Sequence, residues 1–154
     1  MRDPVYDAVM GLHVLFAVIG FGALGATGTY ARQVRRSTDP FSSPTLLRFF
    51  RPGHNVAARA IFLVPLLGAT LLALGHGKDV GAAWPWIGLG LWVLAVGVAS
   101  GVIWPGERQL QQLLQVGPDL VGRLGAVAWR VEVAGALCSA LFLAALVVMV
   151  AQPG

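Results

Sequence analysis

Charged side chains are scarce in this sequence: Asp, Glu, Lys and Arg make up 12% of its 154 residues. Soluble domains average about 25% charged residues, so a shortage of this size argues against a water-soluble fold. Apolar side chains take their place, at 56% of the chain, and the mean hydropathy is +0.73. The composition therefore predicts an integral membrane protein, and a chain of this length has room for one domain once its spans are counted.

Cysteine is almost absent as well, because Cys138 is the only one. A single thiol excludes a disulfide framework and a Cys-x-x-Cys metal site, and its place in an apolar run predicts a small buried side chain. The sequence also lacks GxSxG, HExxH and Walker motifs, which argues against hydrolytic and nucleotide-dependent chemistry. We therefore expect a protein without catalysis of its own.

Acidic residues are fewer than basic ones, 7 against 11, and the formal net charge is +4. Most of the basic residues lie in two short loops next to apolar stretches, where anionic headgroups and membrane topology account for them. We therefore expect the lipid bilayer, and no nucleic acid, as the partner of these residues.

Four apolar stretches, each long enough to cross a membrane, organise the chain. A helix needs about 20 predominantly apolar residues to cross a hydrocarbon layer of about 30 Å, and the second stretch has no charged residue across 60–77. The predicted fold is an all-α, four-transmembrane-helix bundle that forms a single domain over 1–154. The predicted spans cover about 8–31, 52–75, 84–104 and 127–150.

The arginines orient the predicted bundle. The loop over 32–51 contains five arginines and one acid, Asp39, and short loops rich in Lys and Arg stay on the cytoplasmic side. Both termini are then predicted outside. The stretch 107–116 has leucines three and four residues apart with glutamines between them. This pattern predicts a short amphipathic helix that lies flat on the cytoplasmic surface between spans three and four.

Small residues predict where helices approach each other. Gly22 and Ala26 form a small-xxx-small step in the first span, and Gly97 and Gly101 form a GxxxG in the third. Such steps let helix backbones come close in lipid. Pro65, in the middle of the second span, predicts a kink. Smooth glycine and alanine faces beside an almost inert interior predict an accessory or interaction subunit of a larger membrane complex, or a self-associating bundle.

Ionisable residues inside a membrane are expensive and are candidates for function, and the histidines come first. His13, near the outer end of the first span, and His54, at the inner end of the second, differ in depth by roughly 20 to 25 Å, too far for one haem iron. His13 and His76 share the outer side and together could bind haem, copper or zinc, although two ligands alone form a sparse site. The alternative is that His13 bonds to a neighbouring helix while His76 is solvated.

Arg59, Arg130 and Glu132 form the second candidate set, near the inner ends of the second and fourth spans. Both of these spans start inside, so Arg59 and Glu132 are predicted at similar depth, where a carboxylate needs a partner. One interpretation is an ion pair between two helices, with Arg59 or Arg130 as the cation. The other is a small transporter or proton path that uses Arg59 and Glu132.

Three short motifs are shared with a known family. They are Leu12-His13 followed by Gly20 and Gly22, Trp104-Pro105-Gly106-Glu107-Arg108, and the ending Met149-Val150-Ala151-Gln152-Pro153-Gly154. On these motifs the chain resembles the bacterial integral membrane family known as domain of unknown function 2269. The resemblance implies a bundle of membrane helices in the bacterial cell membrane.

The first-span histidine is more distantly similar to that of copper-resistance D-type proteins and of HemJ-type protoporphyrinogen oxidases. In those proteins a histidine at this place is associated with copper handling or haem, so the similarity implies His13 as a ligand for one of them. The residues that follow, 19–24, lack the tryptophan and the arginine-bearing tail typical of the oxidases. The similarity therefore does not extend to their enzymatic activity.

Overall fold

The computed structural model of the protein describes residues 3–53, 56–75, 80–117 and 121–152. Within these ranges the regular structure is helical and includes no strand. The elements in chain order are α1 (Pro4–Arg36), α2 (Pro44–Phe49), a 3₁₀ segment (Val56–Phe62), α3 (Leu63–Leu74), α4 (Ala83–Val98), a π segment (Ala99–Ile103), α5 (Trp104–Val116) and α6 (Val121–Ala151).

Four helical stretches are long and apolar enough to cross a membrane, which confirms the predicted helical architecture and number of candidate spans. Only 17% to 28% of the most apolar window in each stretch is buried inside the bundle. The remaining apolar side chains face outward, where lipid or another apolar surface is the medium that suits them. The chain therefore has the architecture of a multi-pass membrane protein. The stretches are Pro4–Arg36, Val56–Leu74, Ala83–Val116 and Gly122–Ala151.

Capping groups set the ends of the first span. α1 begins at Pro4, directly after Asp3, whose carboxylate accepts a hydrogen bond from the Val5 N–H at 2.9 Å. A proline at this position has no N–H to leave unpaired. α1 then continues through Arg36, past the predicted end of the span. Arginines in the last turn interact favourably with the negative end of the helix dipole, so they extend the helix instead of ending it.

The third span corrects the sequence-based prediction. The sequence predicts a break at Pro105 and a separate helix over 107–116, whereas α4, the π segment and α5 form one unbroken helical stretch, Ala83–Val116. Proline lacks the N–H that would bond to the carbonyl one turn earlier. A π turn lies immediately before it, with the Trp104 N–H bonded to the Ala99 carbonyl five residues back. The wider turn carries the helix past the proline.

The leucines of α5 pack inside the bundle. Leu110 and Leu114 are buried in a cluster that joins the last turns of α1, α2, α5 and the first turns of α6; we call this region the basic end. The two arginine-rich loops therefore lie at the same end of the bundle. The side of the membrane that this end faces, and hence the position of the termini, stays a prediction. The buried cluster includes Val34, Leu46, Phe50, Leu110, Leu114 and Leu124.

The closest helix crossings use glycines that the sequence analysis does not predict as helix contacts. A methyl group on Gly135 of α6 would lie 2.6 Å from the Cα of Gly28 in α1, so the two backbones are in contact. A methyl group on Gly20 would lie 2.6 Å from the backbone nitrogen of Ile61. The absence of a side chain is thus required where α1 meets α6 and where it meets the second span.

The predicted contact residues lie outside these crossings. A methyl group on Gly22, Gly97 or Gly101 would meet no atom within 4 Å, all three glycines are exposed, and Ala26 is half-buried. These glycines therefore join no two helices of the described chain. The spacing of small residues identifies a helix face that another helix can approach closely. It does not show which helix packs against that face. A contact through them with another chain stays a prediction.

Candidate functional site

His13 lies on α1 and faces the second span, with 6% of its surface exposed. Its Nδ1 donates a hydrogen bond to the backbone carbonyl of Val64 over 3.0 Å. Because a carbonyl oxygen only accepts, Nδ1 carries the proton, and the neutral ring then has its lone pair on Nε2. Gly68 makes room for the ring, since a methyl group there would lie 3.4 Å from the His13 Cε1. The backbone of α3 thus holds the imidazole in one orientation.

Pro65 creates the other polar contact of this region. It has no N–H for the carbonyl of Ile61 one turn earlier, and the indole N–H of Trp92 donates to that carbonyl at 2.8 Å. The second span changes from a 3₁₀ to an α-helix at Leu63, just before the proline. The bond from Trp92 therefore joins α4 to the irregular turn of the second span, directly beside His13.

A small apolar cavity lies where the four spans meet. Its volume is about 50 Å³. α1 and α6 supply most of its walls, and α3 and α4 close it. The side chains that define it for the argument below are His13, Phe21, Val64, Trp92, Phe142 and Met149.

The second ring nitrogen of His13, Nε2, has no hydrogen-bond partner among the described residues. In the described part of the chain, every fully enclosed side-chain nitrogen or oxygen has a hydrogen-bond partner. The single hydrogen bond of His13 is the one from Nδ1 to Val64, so Nε2 must retain accessible surface. His13 lines the cavity, so the imidazole lies beside any ligand that the cavity holds.

The size of the cavity limits what it holds. A water molecule takes up about 30 Å³ in the liquid, whereas pockets for drug-sized ligands measure roughly 300 to 1,000 Å³. A cavity of about 50 Å³ accommodates a metal ion or a very small molecule. A haem, whose ring is drug-sized, does not fit unless the spans separate.

The donor groups around the cavity are few. Beside His13 they are the indole of Trp92, which is already hydrogen-bonded, and the thioether of Met149. Among the residues that the structure describes, no three His, Cys, Asp or Glu side chains group in a way that would hold a metal ion, which argues against a zinc site. His54 and His76 lie outside the described residues, so the predicted pair of His13 and His76 stays a prediction.

Glu132 on α6 pairs with two arginines of α1 at the basic end. Its carboxylate accepts from the Nε of Arg35 at 2.9 Å and lies 3.6 Å from the Nε of Arg32. The side chains of the arginines are 39% and 52% exposed, respectively. Ion pairs at such exposed positions contribute little to stability. The pair therefore fastens α1 to α6 at their surface, and it does not form a buried relay.

The predicted cations, Arg59 and Arg130, are not the partners of Glu132. Both arginines are exposed, and neither pairs with this carboxylate in the structure. The reason is the glycine crossing of α1 and α6 described above. The two helices run antiparallel there, so residues one and two turns after the crossing on α1 come level with Glu132. The sequence predicts residues of several helices at the same membrane depth as Glu132. It does not show which of these helices is adjacent to α6.

The interior gives the transporter hypothesis no support. Between Glu132 and His13 the described residues form a core of apolar side chains that includes Leu24 and the fully buried Cys138. Thr27 is buried among them, and its hydroxyl donates to the Ala23 carbonyl within the same helix. A proton path needs a chain of polar groups or water. The described core offers no such chain.

Glu107 is a buried carboxylate that the sequence analysis places on a surface helix and does not name as a candidate site residue. It is 8% exposed at the start of α5, and it has interaction partners in the structure. Its neighbour Gly106 packs directly on Val131, whose side chain a methyl group on the glycine would strike. The signal in the sequence is the Trp104-Pro105-Gly106-Glu107-Arg108 run itself, in which an acidic residue directly follows the predicted third span.

Similarity to known proteins adds no function to this description. Comparisons with protein-family models, with curated proteins and with solved structures give no match. The resemblance to the domain-of-unknown-function family, and the more distant one to copper-resistance D-type and HemJ-type proteins, therefore stay predictions. The fold defines a class, helical proteins with four candidate membrane spans. The function has to be argued from the His13 cavity.

Proposed function

We propose that the protein is a multi-pass protein of the bacterial plasma membrane that binds a metal ion or small ligand at Nε2 of His13, without catalysis of its own. The observation that carries this proposal is the fixed imidazole. One nitrogen is bonded to the Val64 carbonyl, and the ring lines an apolar cavity between the spans. Nε2 has no partner among the described residues, so its lone pair is available to a ligand.

The bond from His13 to Val64 resembles those that support ligands in metal centres. A ligating histidine usually donates its other ring N–H to a carbonyl or carboxylate, which fixes the tautomer and strengthens the ligand. A histidine that only linked two helices would need the hydrogen bond to Val64. It would not need a cavity beside its ring. The cavity beside His13 therefore favours a ligand site over a purely structural role.

Ligand retention by the purified protein tests the proposal. The full chain in mild detergent is exposed separately to Cu(I), Zn(II) and haem, and bound ligand is measured by elemental analysis and optical absorption. We expect at least one ligand to bind in a 1:1 ratio and His13→Ala to weaken it at least tenfold. His54→Ala, at the predicted opposite end of the bundle, is the matched control. Equal binding by wild type and His13→Ala would remove the proposal.

His76 is addressed by a parallel variant. If it completes the site as the sequence predicts, His76→Ala weakens binding as much as His13→Ala does. If binding is unchanged, His13 works without the second histidine. In both cases the role of His13 is tested by His13→Ala and not by His76→Ala.

A second candidate function, association with another membrane protein or with a second copy, is favoured by one face of α4 and of the π segment that follows it. Gly90, Gly97 and Gly101 follow one another at seven and four residues, are exposed, and have open space where a side chain would be. Small residues of this kind allow close helix contact in lipid. A face that no described helix covers supports the predicted accessory-subunit or self-association role.

Substitution of this face tests the association. Gly97→Ile and Gly101→Ile should abolish cross-linked or co-purifying species in mild detergent, whereas Gly11→Ile, at an equally open and exposed position of α1, should not. A strictly monomeric wild-type particle without a partner would argue against this function.

A further inference from the structure

We infer that the protein binds an anionic phospholipid of the surrounding bilayer in a furrow between its second and third spans, with the lipid phosphate on Arg59 and Arg108. The inference is independent of the His13 site. It rests on the placement of the two arginines on either side of one aromatic contact.

The furrow lies where the second and third spans face each other. The second span packs chiefly on α1 and the third chiefly on α6, so the two meet each other through side chains. Phe62 contacts Trp92 and Trp104, with ring centroids 6.5 Å and 5.8 Å apart. Phe62 is 47% exposed, and both indoles are half-buried. These three rings, which we call the aromatic furrow, therefore form an apolar floor that is open to lipid.

Arg59 and Arg108 stand at the same level beside the aromatic furrow. Arg59 precedes Phe62 by three residues in the 3₁₀ segment, so the two side chains share a face and lie about 6 Å apart along the axis. Arg108 follows Trp104 by four residues in α5, which gives the same face and again about 6 Å. The second span leaves the basic end and the third approaches it, so both arginines are displaced toward that end. They flank the furrow from opposite walls.

Arg59 lies well inside the apolar part of the bundle. The backbone of Ile61 is level with Gly20, since a methyl group on Gly20 would lie 2.6 Å from the Ile61 nitrogen. Arg32, the first charged residue of α1 at the basic end, follows Gly20 after about 18 Å of helix. Arg59 is only about 4 Å from Ile61 in that direction, so it falls short of Arg32 by most of this distance. A charge at such depth is costly in hydrocarbon, and an anion bound to it reduces the cost.

Carboxylates of the described residues do not neutralise these two arginines. The two ion pairs between described residues both belong to Glu132, which pairs with Arg35 and Arg32. Glu107 is next to Arg108 in the sequence, but it is buried and has other interactions, whereas Arg108 is exposed. Neighbouring cations of this kind attract an anion from outside the chain, and the medium around the furrow is lipid.

A phospholipid matches both parts of this surface. The planar fork of an arginine binds phosphate oxygens through two N–H groups, and basic pockets between membrane helices bind anionic lipid headgroups. An acyl chain attached to the phosphate continues over the aromatic furrow. A zwitterionic headgroup would bring its own cation beside the two arginines, so an anionic headgroup such as that of phosphatidylglycerol is favoured.

Lipid binding by the full chain in mild detergent tests the inference. Native mass spectrometry measures the affinity for phosphatidylglycerol and, separately, for phosphatidylcholine with the same acyl chains. We expect the wild type to bind one phosphatidylglycerol at least tenfold more tightly than phosphatidylcholine. Arg59→Gln and Arg108→Gln should each weaken phosphatidylglycerol binding about fivefold and leave phosphatidylcholine binding unchanged.

Two controls separate this site from general effects of charge. Arg123→Gln removes the same charge from an exposed position in the first turns of α6, outside both walls of the furrow, and should leave the affinity unchanged. Inorganic phosphate at the same concentration as the lipid should not displace it, because free phosphate has no acyl chain to cover the rings.

Four results would overturn the inference. Equal affinity of the wild type for the two lipids is the first, and it depends on the folding of no variant. The others are unchanged phosphatidylglycerol affinity in Arg59→Gln and Arg108→Gln, an equal loss in Arg123→Gln, and displacement of the lipid by inorganic phosphate. None of these results bears on the His13 site, which is tested by its own variant.

Discussion

The two ends of the bundle use polar groups in different ways. At the basic end, Glu132 and Arg35 meet as charged side chains on exposed helix surfaces. At the other end, His13 donates to the carbonyl of Val64, and the indole of Trp92 also donates to a backbone carbonyl. The first kind of contact joins charged residues that the sequence identifies, although it does not identify their pairing, and such an exposed ion pair is weak. The second kind, a hydrogen bond from a side chain to a backbone carbonyl, lies inside the bundle and positions the candidate site. The sequence does not reveal it, because every residue has a backbone carbonyl.

The largest expected effect lies between the two ends, where α1 crosses α6. Gly135→Val would place a side chain within 2.6 Å of the Gly28 Cα. Overpacking a core costs about 1 to 3 kcal/mol when side chains can adjust, and here the obstacle is backbone, so we expect little folded protein to survive. Thermal unfolding in detergent checks this, with Gly22→Val as a control in open space. Equal melting temperatures for the two variants would contradict the crossing.

The next largest effect is expected at the His13 end. Trp92→Phe removes the donor to the Ile61 carbonyl, which Pro65 cannot replace, and an unsatisfied buried acceptor costs about 1 to 3 kcal/mol. Pro65→Ala restores an N–H one turn ahead, so in that background Trp92→Phe should cost less. A double-mutant cycle on the free energy of unfolding measures the difference. Strictly additive effects would mean that the indole does not compensate for the proline.

A smaller effect is expected at the basic end. Breaking the exposed pair with Glu132→Gln or Arg35→Gln should cost less than about 1 kcal/mol, and the two changes should be coupled. Glu132→Gln and Arg59→Gln should be additive, because these residues are not paired in the structure. Double-mutant cycles at low salt measure both couplings. A coupling to Arg59 as strong as that to Arg35 would restore the sequence-based pairing.

The smallest effect is expected in the loop after α1. The hydroxyl of Ser42, with the backbone N–H groups of Ser42 and Phe41, holds the pKa of Asp39 below its ordinary value. A lowered folded-state pKa gives stability that is complete above the ordinary carboxyl range and is lost as the pH falls through the folded value. Asp39→Asn should therefore flatten the acid limb of a melting-temperature series against pH. A wild-type series parallel to that of the variant would contradict this contact.

The sequence predicts what depends on composition. In lipid the backbone must satisfy its own hydrogen bonds, so a long stretch without charge is predicted to be a helical span. The arginines predict which loops lie at the same end of the bundle. His13 is identified as a candidate because a titratable residue within a span is rare. Its hydrogen bond to Val64 is not predicted, since a backbone carbonyl has no signature in the sequence.

The wrong predictions concern features that depend on contacts with other parts of the structure. Glu132 is identified as needing a partner, but its partner is Arg35 because Gly28 and Gly135 bring α1 against α6. Pro105 fails to end its helix because a π turn precedes it. Hydropathy and spacing describe each helix alone, whereas these features depend on which helices touch.

Three of the four membrane-crossing stretches are longer than a bilayer requires. Ala83–Val116 has 34 residues, a rod of about 51 Å at 1.5 Å per residue, against about 30 Å of hydrocarbon. Pro4–Arg36 and Gly122–Ala151 share this surplus, with 33 and 30 residues. The last turns of α1, α5 and the first turns of α6 pack on one another at the basic end, so much of the surplus length forms a packed helical extension of the bundle at that end.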